Sequence, residues 1–246
     1  MSELPPYSEA PPPVVPAEAS AQTTNGRIAG AVLTCSIADM HHDYFKITRE
    51  SATRYQLSLT VDPTPIYRVE LTRDPTVVGD IVVLPVFSSR GAVAAVKFAN
   101  LKKSKTRYEP VATVCAQEPC RPDMTWLPLV KASVLGPRKD CEMYRSSIPI
   151  VTVPGLKASI ETFVWRFKPS ATYFEMSSEW PLPYEPGRTS NQTEGDSRLV
   201  FARVTLKSSG KTYPEVIEIR RGGGLEFELT VVLNAFTILH NMNRLQ

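Results

Sequence analysis

The chain has 246 residues, of which 42% are hydrophobic, so it can bury a substantial core as one large domain or two small ones. A formal net charge of +3 sets aside nucleic acid as a partner for the whole surface; an anionic partner has to be met by a local basic patch. Four cysteines (Cys35, Cys115, Cys120 and Cys141) form neither a CxxC pair nor a dense framework, and the N-terminus lacks the basic-plus-apolar pattern of a secretory signal. Free thiols in a reducing, cytoplasmic compartment are therefore expected. The Asn191-Gln192-Thr193 sequon then goes unused.

Residues 1–27 read as a disordered, proline-rich tail. Pro5, Pro6, Pro11, Pro12, Pro13 and Pro16 crowd its first part, and small or polar residues supply most of the rest. Such a segment cannot bury enough apolar surface to offset chain entropy. Within it, Leu4-Pro5-Pro6-Tyr7 matches the [LP]-P-x-Y ligand of WW domains, notably those of HECT-type ubiquitin ligases. A preformed polyproline turn loses little entropy on docking, and the tyrosine fills a groove. Proline-rich tails also produce such tetrapeptides by chance. Pro181-Leu182-Pro183-Tyr184 lacks the required spacing.

From residue 28 onward the pattern becomes that of short strands. The runs are Ile28–Ile37, Tyr55–Val61, Ile66–Leu71, Ile81–Phe87, Val93–Phe98, Val111–Cys115, Ile148–Val153, Ile160–Phe167, Leu199–Leu206 and Val216–Arg220. Tyr55-Gln56-Leu57-Ser58-Leu59-Thr60-Val61 alternates apolar and polar residues, the mark of a sheet with one dry face. Between the first two runs, Asp39-Met40-His41-His42-Asp43 suggests a metal cluster. Adjacent histidines rarely share one metal without partners elsewhere, so a polar turn is the expectation and no metal site is assigned. Cys120–Asp140 is irregular, with a strand pair around Trp126–Val130, and Trp180–Asp196 is a long loop.

A basic run, Lys97, Lys102, Lys103, Lys105 and Arg107, has no acid near it from Val93 to Tyr108. On a hairpin tip it would suit phosphoinositide head groups, at about 1 kcal/mol per basic residue close to an anionic leaflet. The plainer alternative is a solvated loop with incidental lysines. RNA is a poorer match, because Phe98 and Tyr108 are the only aromatics from Val93 to Tyr108. No nucleophile–base arrangement is readable among three histidines, so an enzyme is not expected, and no cofactor is implied.

The closing segment is the best helix candidate, over residues 225–243. On a wheel of about 100° per residue, Leu229, Val231, Val232, Leu233, Ala235, Phe236, Ile238 and Leu239 cover most of the circumference. Thr230, Asn234, Thr237 and Asn241 form the remaining stripe, where a solvent face would carry charges. A helix apolar nearly all round is buried. Its apolar core of about eleven residues falls short of the roughly 20 that a bilayer needs. Glu226 and Glu228 at its start suit the helix dipole. Arg220-Arg221-Gly222-Gly223-Gly224 before it could offer backbone N–H groups to an anion. Three glycines more often just let a chain turn sharply.

Many strands with one inner apolar face and a last, uncharged helix combine most simply as a closed antiparallel barrel of about 12 strands around a central hydrophobic C-terminal helix. This pattern resembles the tubby C-terminal-like superfamily, which includes tubby domains, LURP-one-related proteins and phospholipid scramblases. The stretches that carry the resemblance, close to that of uncharacterised fungal members, are Ile66-Tyr67-Arg68-Val69-Glu70, Phe163-Val164-Trp165-Arg166 and Ile217-Glu218-Ile219-Arg220-Arg221-Gly222-Gly223-Gly224-Leu225. It covers residues 28–246 as one barrel domain. A scramblase's acidic calcium-binding loop is missing from the sequence, which weighs against lipid scrambling.

The resemblance implies a non-enzymatic adaptor, cytoplasmic and peripheral at a membrane. Its barrel would bind phosphoinositide or other anionic lipid through Lys97, Lys102, Lys103, Lys105 and Arg107, and its tail would recruit a WW-domain protein. Two rival readings are a viral matrix protein with a late-domain-like tail and a scramblase-like lipid transporter.

Overall fold

The computed structural model describes residues 42–72, 78–87, 91–99, 108–132, 142–152, 157–169, 171–179, 199–206 and 215–245. The expected tail, the Ile28–Ile37 strand, the Trp180–Asp196 loop and most of the basic run lie outside them.

Twelve strands form one closed antiparallel barrel. They are β1 (His42–Arg49), β2 (Arg54–Leu59), β3 (Asp62–Leu71), β4 (Ile81–Pro85), β5 (Ala94–Phe98), β6 (Tyr108–Cys115), β7 (Leu127–Ala132), β8 (Met143–Ile150), β9 (Ser159–Lys168), β10 (Tyr173–Ser178), β11 (Val200–Thr205) and β12 (Val216–Arg220). Each pairs with its sequence neighbours, and β1 closes the ring by pairing His42 with Arg220 and Lys46 with Val216. Up-and-down order sends alternate connections to opposite ends. The β2–β3, β4–β5, β6–β7, β8–β9 and β10–β11 connections share an upper rim with the start of helix α1 (Leu225–Asn241). The β1–β2, β3–β4, β5–β6, β7–β8, β9–β10 and β11–β12 connections share a lower rim with the helix end.

Period-two alternation fills the interior. In β8, Tyr144, Ser146, Ile148 and Ile150 point inward, and the residues between them are partly exposed. Helix α1 occupies the space so enclosed, and every residue from Phe227 to Leu239 is buried. It meets opposite walls at once: Phe236 packs edge-on against Tyr55 of β2, and Phe227 against Phe163 of β9 and Phe201 of β11. Each fully buried Leu, Ile or Phe on it contributes roughly 1.5–3 kcal/mol relative to exposure. The helix is therefore the filler of the barrel, as its lack of charge predicts. It stops at Asn241, two residues short of the expected end, because Asn243 turns left-handed (φ 55) and Arg244 N bonds back to Leu239 O.

Three local expectations change. His42 and Asp43 belong to β1 rather than to a polar turn, because pairing with Arg220 and Ile219 outweighs their weak local preference. Tyr173–Ser178 is a strand (β10) that periodicity missed; Phe174 and Met176 are its two inward apolar side chains. In the stretch after Cys120, the described residues 121–132 hold one strand, β7.

Candidate functional site

At the upper rim, three glycines take the chain from β12 into the barrel. Gly222 and Gly224 have φ of 95° and 96°, which disfavours any side chain there. A Cβ at Gly223 would lie 2.5 Å from the Phe227 ring. The preceding Arg221 is 5% exposed and Glu228 2%. The Arg221 guanidinium donates to Asp43 Oδ2 at 2.6 Å, to Glu228 Oε2, and lies 5.6 Å over the Phe45 ring. Arg221 is thus held by two carboxylates, so the arrangement serves to seat the helix rather than to catch an anion. Burial pushes the Glu228 carboxyl up to about 7 against the pull of Arg221, and the Asp43 charge pushes the same way. Burial likewise raises the nearby Tyr67 phenol to about 12.

Each polar side chain of the helix stripe donates a hydrogen bond, while Asn234 Oδ1 accepts none among the described residues. Thr230 and Thr237 hydroxyls donate to the carbonyls of Glu226 and Leu233, both at 2.7 Å. Asn234 Nδ2 donates to Ser146 Oγ at 2.8 Å, and Asn241 Nδ2 to Tyr144 OH at 2.9 Å. Both partners are inward residues of β8, so this stripe fixes the helix rotation toward one strand.

At the lower rim, a cleft of about 800 Å³ opens beside the helix end. Arg49, Thr72, Asp80, Phe98, His240 and Leu245 line it. His240 stacks on Phe98 with ring centroids 4.7 Å apart. Asp80 Oδ2 accepts from Phe98 N at 2.6 Å, and Tyr55 OH donates to the Leu245 carbonyl. The cleft joins one cation, one carboxylate and a planar stack to an apolar floor, a set suited to binding rather than to nucleophilic chemistry.

Of the predicted basic site, only Lys97 falls among the described residues; Lys102, Lys103, Lys105 and Arg107 lie outside them, as do Leu4, Pro5, Pro6 and Tyr7. Lys97 is exposed on the outer wall, with Nζ 4.3 Å over the Trp126 ring. The basic connection leaves β5 at Ala99, whose N–H bonds to Val111 O, and rejoins the sheet at Tyr108. Both attachment points belong to the lower rim, where Phe98 lines the cleft. Several other wall cations are paired: Arg54 with Glu70 across strands, Arg68 with Glu70 along β3, and Arg203 with Glu175 and Glu218 across strands. Exposed pairs of this kind contribute little to stability, but they lower the wall's capacity for an outside anion.

Sequence reasoning missed the cleft and the Arg221–Glu228 pair. Arg49, Asp80, Phe98 and His240 are far apart in the chain and share no motif. Glu228 could have been noticed as the last charge before a long uncharged run. Among the described residues no three potential metal ligands cluster, and no helix is long and apolar enough to cross a membrane. No family model, curated protein or solved structure matches the chain. Fold and geometry therefore define the class: a closed antiparallel barrel filled by its own C-terminal helix.

Proposed function

We propose that this protein is a non-enzymatic adaptor with a tubby-like barrel, binding an anionic membrane surface, phosphoinositide above all, through its lower rim and recruiting a WW-domain protein through Leu4-Pro5-Pro6-Tyr7. The observation that carries the lipid half is one of position. The connection holding Lys102, Lys103, Lys105 and Arg107 is anchored at Ala99 and Tyr108, on the rim that also bears the Arg49–His240 cleft. A basic segment tied to the mouth of a cleft can meet a charged head group while the cleft takes part of it. The filled interior favours this outer surface as the binding region, since helix α1 leaves no lumen for a ligand. The resemblance noted in the sequence supports the same reading.

Co-sedimentation with vesicles containing anionic lipid tests it. Changing Lys102, Lys103 and Lys105 together to Glu should weaken binding at least roughly 100-fold, taking about 1 kcal/mol per basic residue near the leaflet. Equal binding by the variant removes the lipid claim. The tail is tested separately by capture on immobilised WW domains. Tyr7→Ala should abolish capture, and unchanged capture discards that half.

A further inference from the structure

The exposed large apolar side chains are not scattered over the barrel. Among the described residues they are Tyr44, Val61, Val86, Phe87, Ile160 and Leu225, all toward the upper end. Four of them fall on one arc. Tyr44 is on β1, Val61 in the β2–β3 turn, and Val86 and Phe87 follow β4; these strands lie side by side. The arc is stitched together, since Thr60 N donates to Tyr44 O at 2.8 Å and Val86 N to Ile66 O at 3.1 Å. Three inter-strand spacings make it about 15 Å wide. Val61 is 84% exposed and Phe87 61%. The core does not need them, because their inward neighbours Phe45, Leu57, Val69 and Val83 already fill it. Adjacent exposed apolar groups of this kind mark a surface that something covers.

The position of the chain entry decides what covers it. The barrel begins at His42, two residues from Tyr44, on this same arc. Upstream lies Ile28–Ile37, an apolar run containing Ile28, Val32, Leu33 and Ile37, with no charged residue between Arg27 and Asp39. From Ile37 to His42 the chain reaches at most about 17 Å, taking roughly 3.3 Å per residue. That reach matches the arc, whereas the lower rim is about 25 Å away by the length of a 17-residue helix. An anionic leaflet is a poor occupant, because Asp62 adjoins Val61, and Glu118, Asp123 and Glu226 outnumber Arg121 and Lys157 among the described connections of the same rim. We propose that Ile28–Ile37 of the same chain packs onto the arc formed by Tyr44, Val61, Val86 and Phe87.

The native Cys35 within the run provides the probe. Full-length V61C is compared with full-length I160C, which places the thiol on β9 across the barrel; both also carry C120S and C141S. Cys115 is buried and can stay. Under dilute copper–phenanthroline oxidation, non-reducing peptide mapping should find an intrachain bridge from Cys35 to position 61. It should form at least about tenfold faster than the bridge to position 160, as expected for a tethered segment held at one site. Adding V32D should remove that advantage. Equal rates at the two positions, no bridge at position 61, or mainly interchain bridges would each overturn the proposal, the last by making a second copy the occupant.

Discussion

Removing the Arg221 side chain should be among the most damaging single changes in this barrel. Arg221 and Glu228 are 5% and 2% exposed, and Glu228 Oε1 has no hydrogen-bond partner among the described residues. Arg221→Ala would leave Glu228 without its partner in a dry interior beside Asp43, so it must either stay charged there or take up a proton and bury an unbonded carboxyl. Stranding one member of a buried pair costs about 3–5 kcal/mol. Replacing both members by apolar residues, as in R221M with E228L, should recover most of that loss, because no uncompensated charge then remains. Urea denaturation followed by tryptophan fluorescence measures both. A cost below about 1 kcal/mol for R221A would refute the claim that the pair is desolvated.

The same pair makes a prediction in pH. Burial raises the Glu228 carboxyl from 4.5 to about 7 in the folded protein. Between these values the folded state keeps a proton that the unfolded state has released. Rising pH therefore favours unfolding, and the contribution present below pH 4.5 is lost by about pH 7. The slope is at most about 1.4 kcal/mol per pH unit for one proton. Arg221 stays charged across this window, its own value being raised by Glu228 and Asp43, and Tyr67 stays neutral below about pH 12. Comparison with Glu228→Gln isolates the effect, since that variant has no proton to exchange there. Parallel pH–stability curves for the two proteins would show that Glu228 ionises normally.

Two further changes test the helix seat. Asn234→Ala should cost about 1–3 kcal/mol in thermal or urea unfolding, because it strands the buried Ser146 hydroxyl; Asn234→Leu combined with Ser146→Ala should cost clearly less, and equal costs would deny the hydrogen bond its role. Gly223→Ala places a methyl 2.5 Å from the Phe227 ring and should cost about 1–3 kcal/mol by overpacking, checked by the midpoint of thermal unfolding; an unchanged midpoint would mean the turn relaxes freely.

The helix and its setting were legible because charge is informative by its absence. A run without Lys, Glu, Arg or Asp from Leu229 to Asn243 can sit only where water is excluded, and the stripe of Thr230, Asn234, Thr237 and Asn241 announced polar contacts. The partners of that stripe were not legible. Ser146 and Tyr144 are unremarkable alternate residues of β8, and nothing local says that they face two asparagines seven residues apart. β1 and β10 escaped for a related reason. Each is mixed in character, and its strand conformation is dictated by two neighbours rather than by its own residues. Glu228 read correctly as a helix-start acid, yet its energetic meaning comes from Arg221, which the glycine turn folds back beside it. The lower cleft is a product of tertiary packing: Arg49, Asp80 and Phe98 come from the meander β1 to β5, and His240 joins them only when the helix fills the barrel.

Closure also gives the two ends of the barrel different jobs in the proposed reading. The β5–β6 connection with its four cations is attached at the lower rim, and the chain enters β1 at the upper rim. About 25 Å of barrel, by the length of helix α1, separates the two. A lipid surface engaged from below would then leave the entry point of the N-terminal segment facing away from the membrane. If Ile28–Ile37 is held on the upper arc, the Leu4–Tyr7 motif starts from that far end instead of doubling back toward the head groups. Lipid and a WW-domain partner would not compete for space, and binding of one should leave the affinity for the other unchanged. An adaptor requires that independence, whereas a protein whose tail masks its own basic rim would show strong negative coupling between the two.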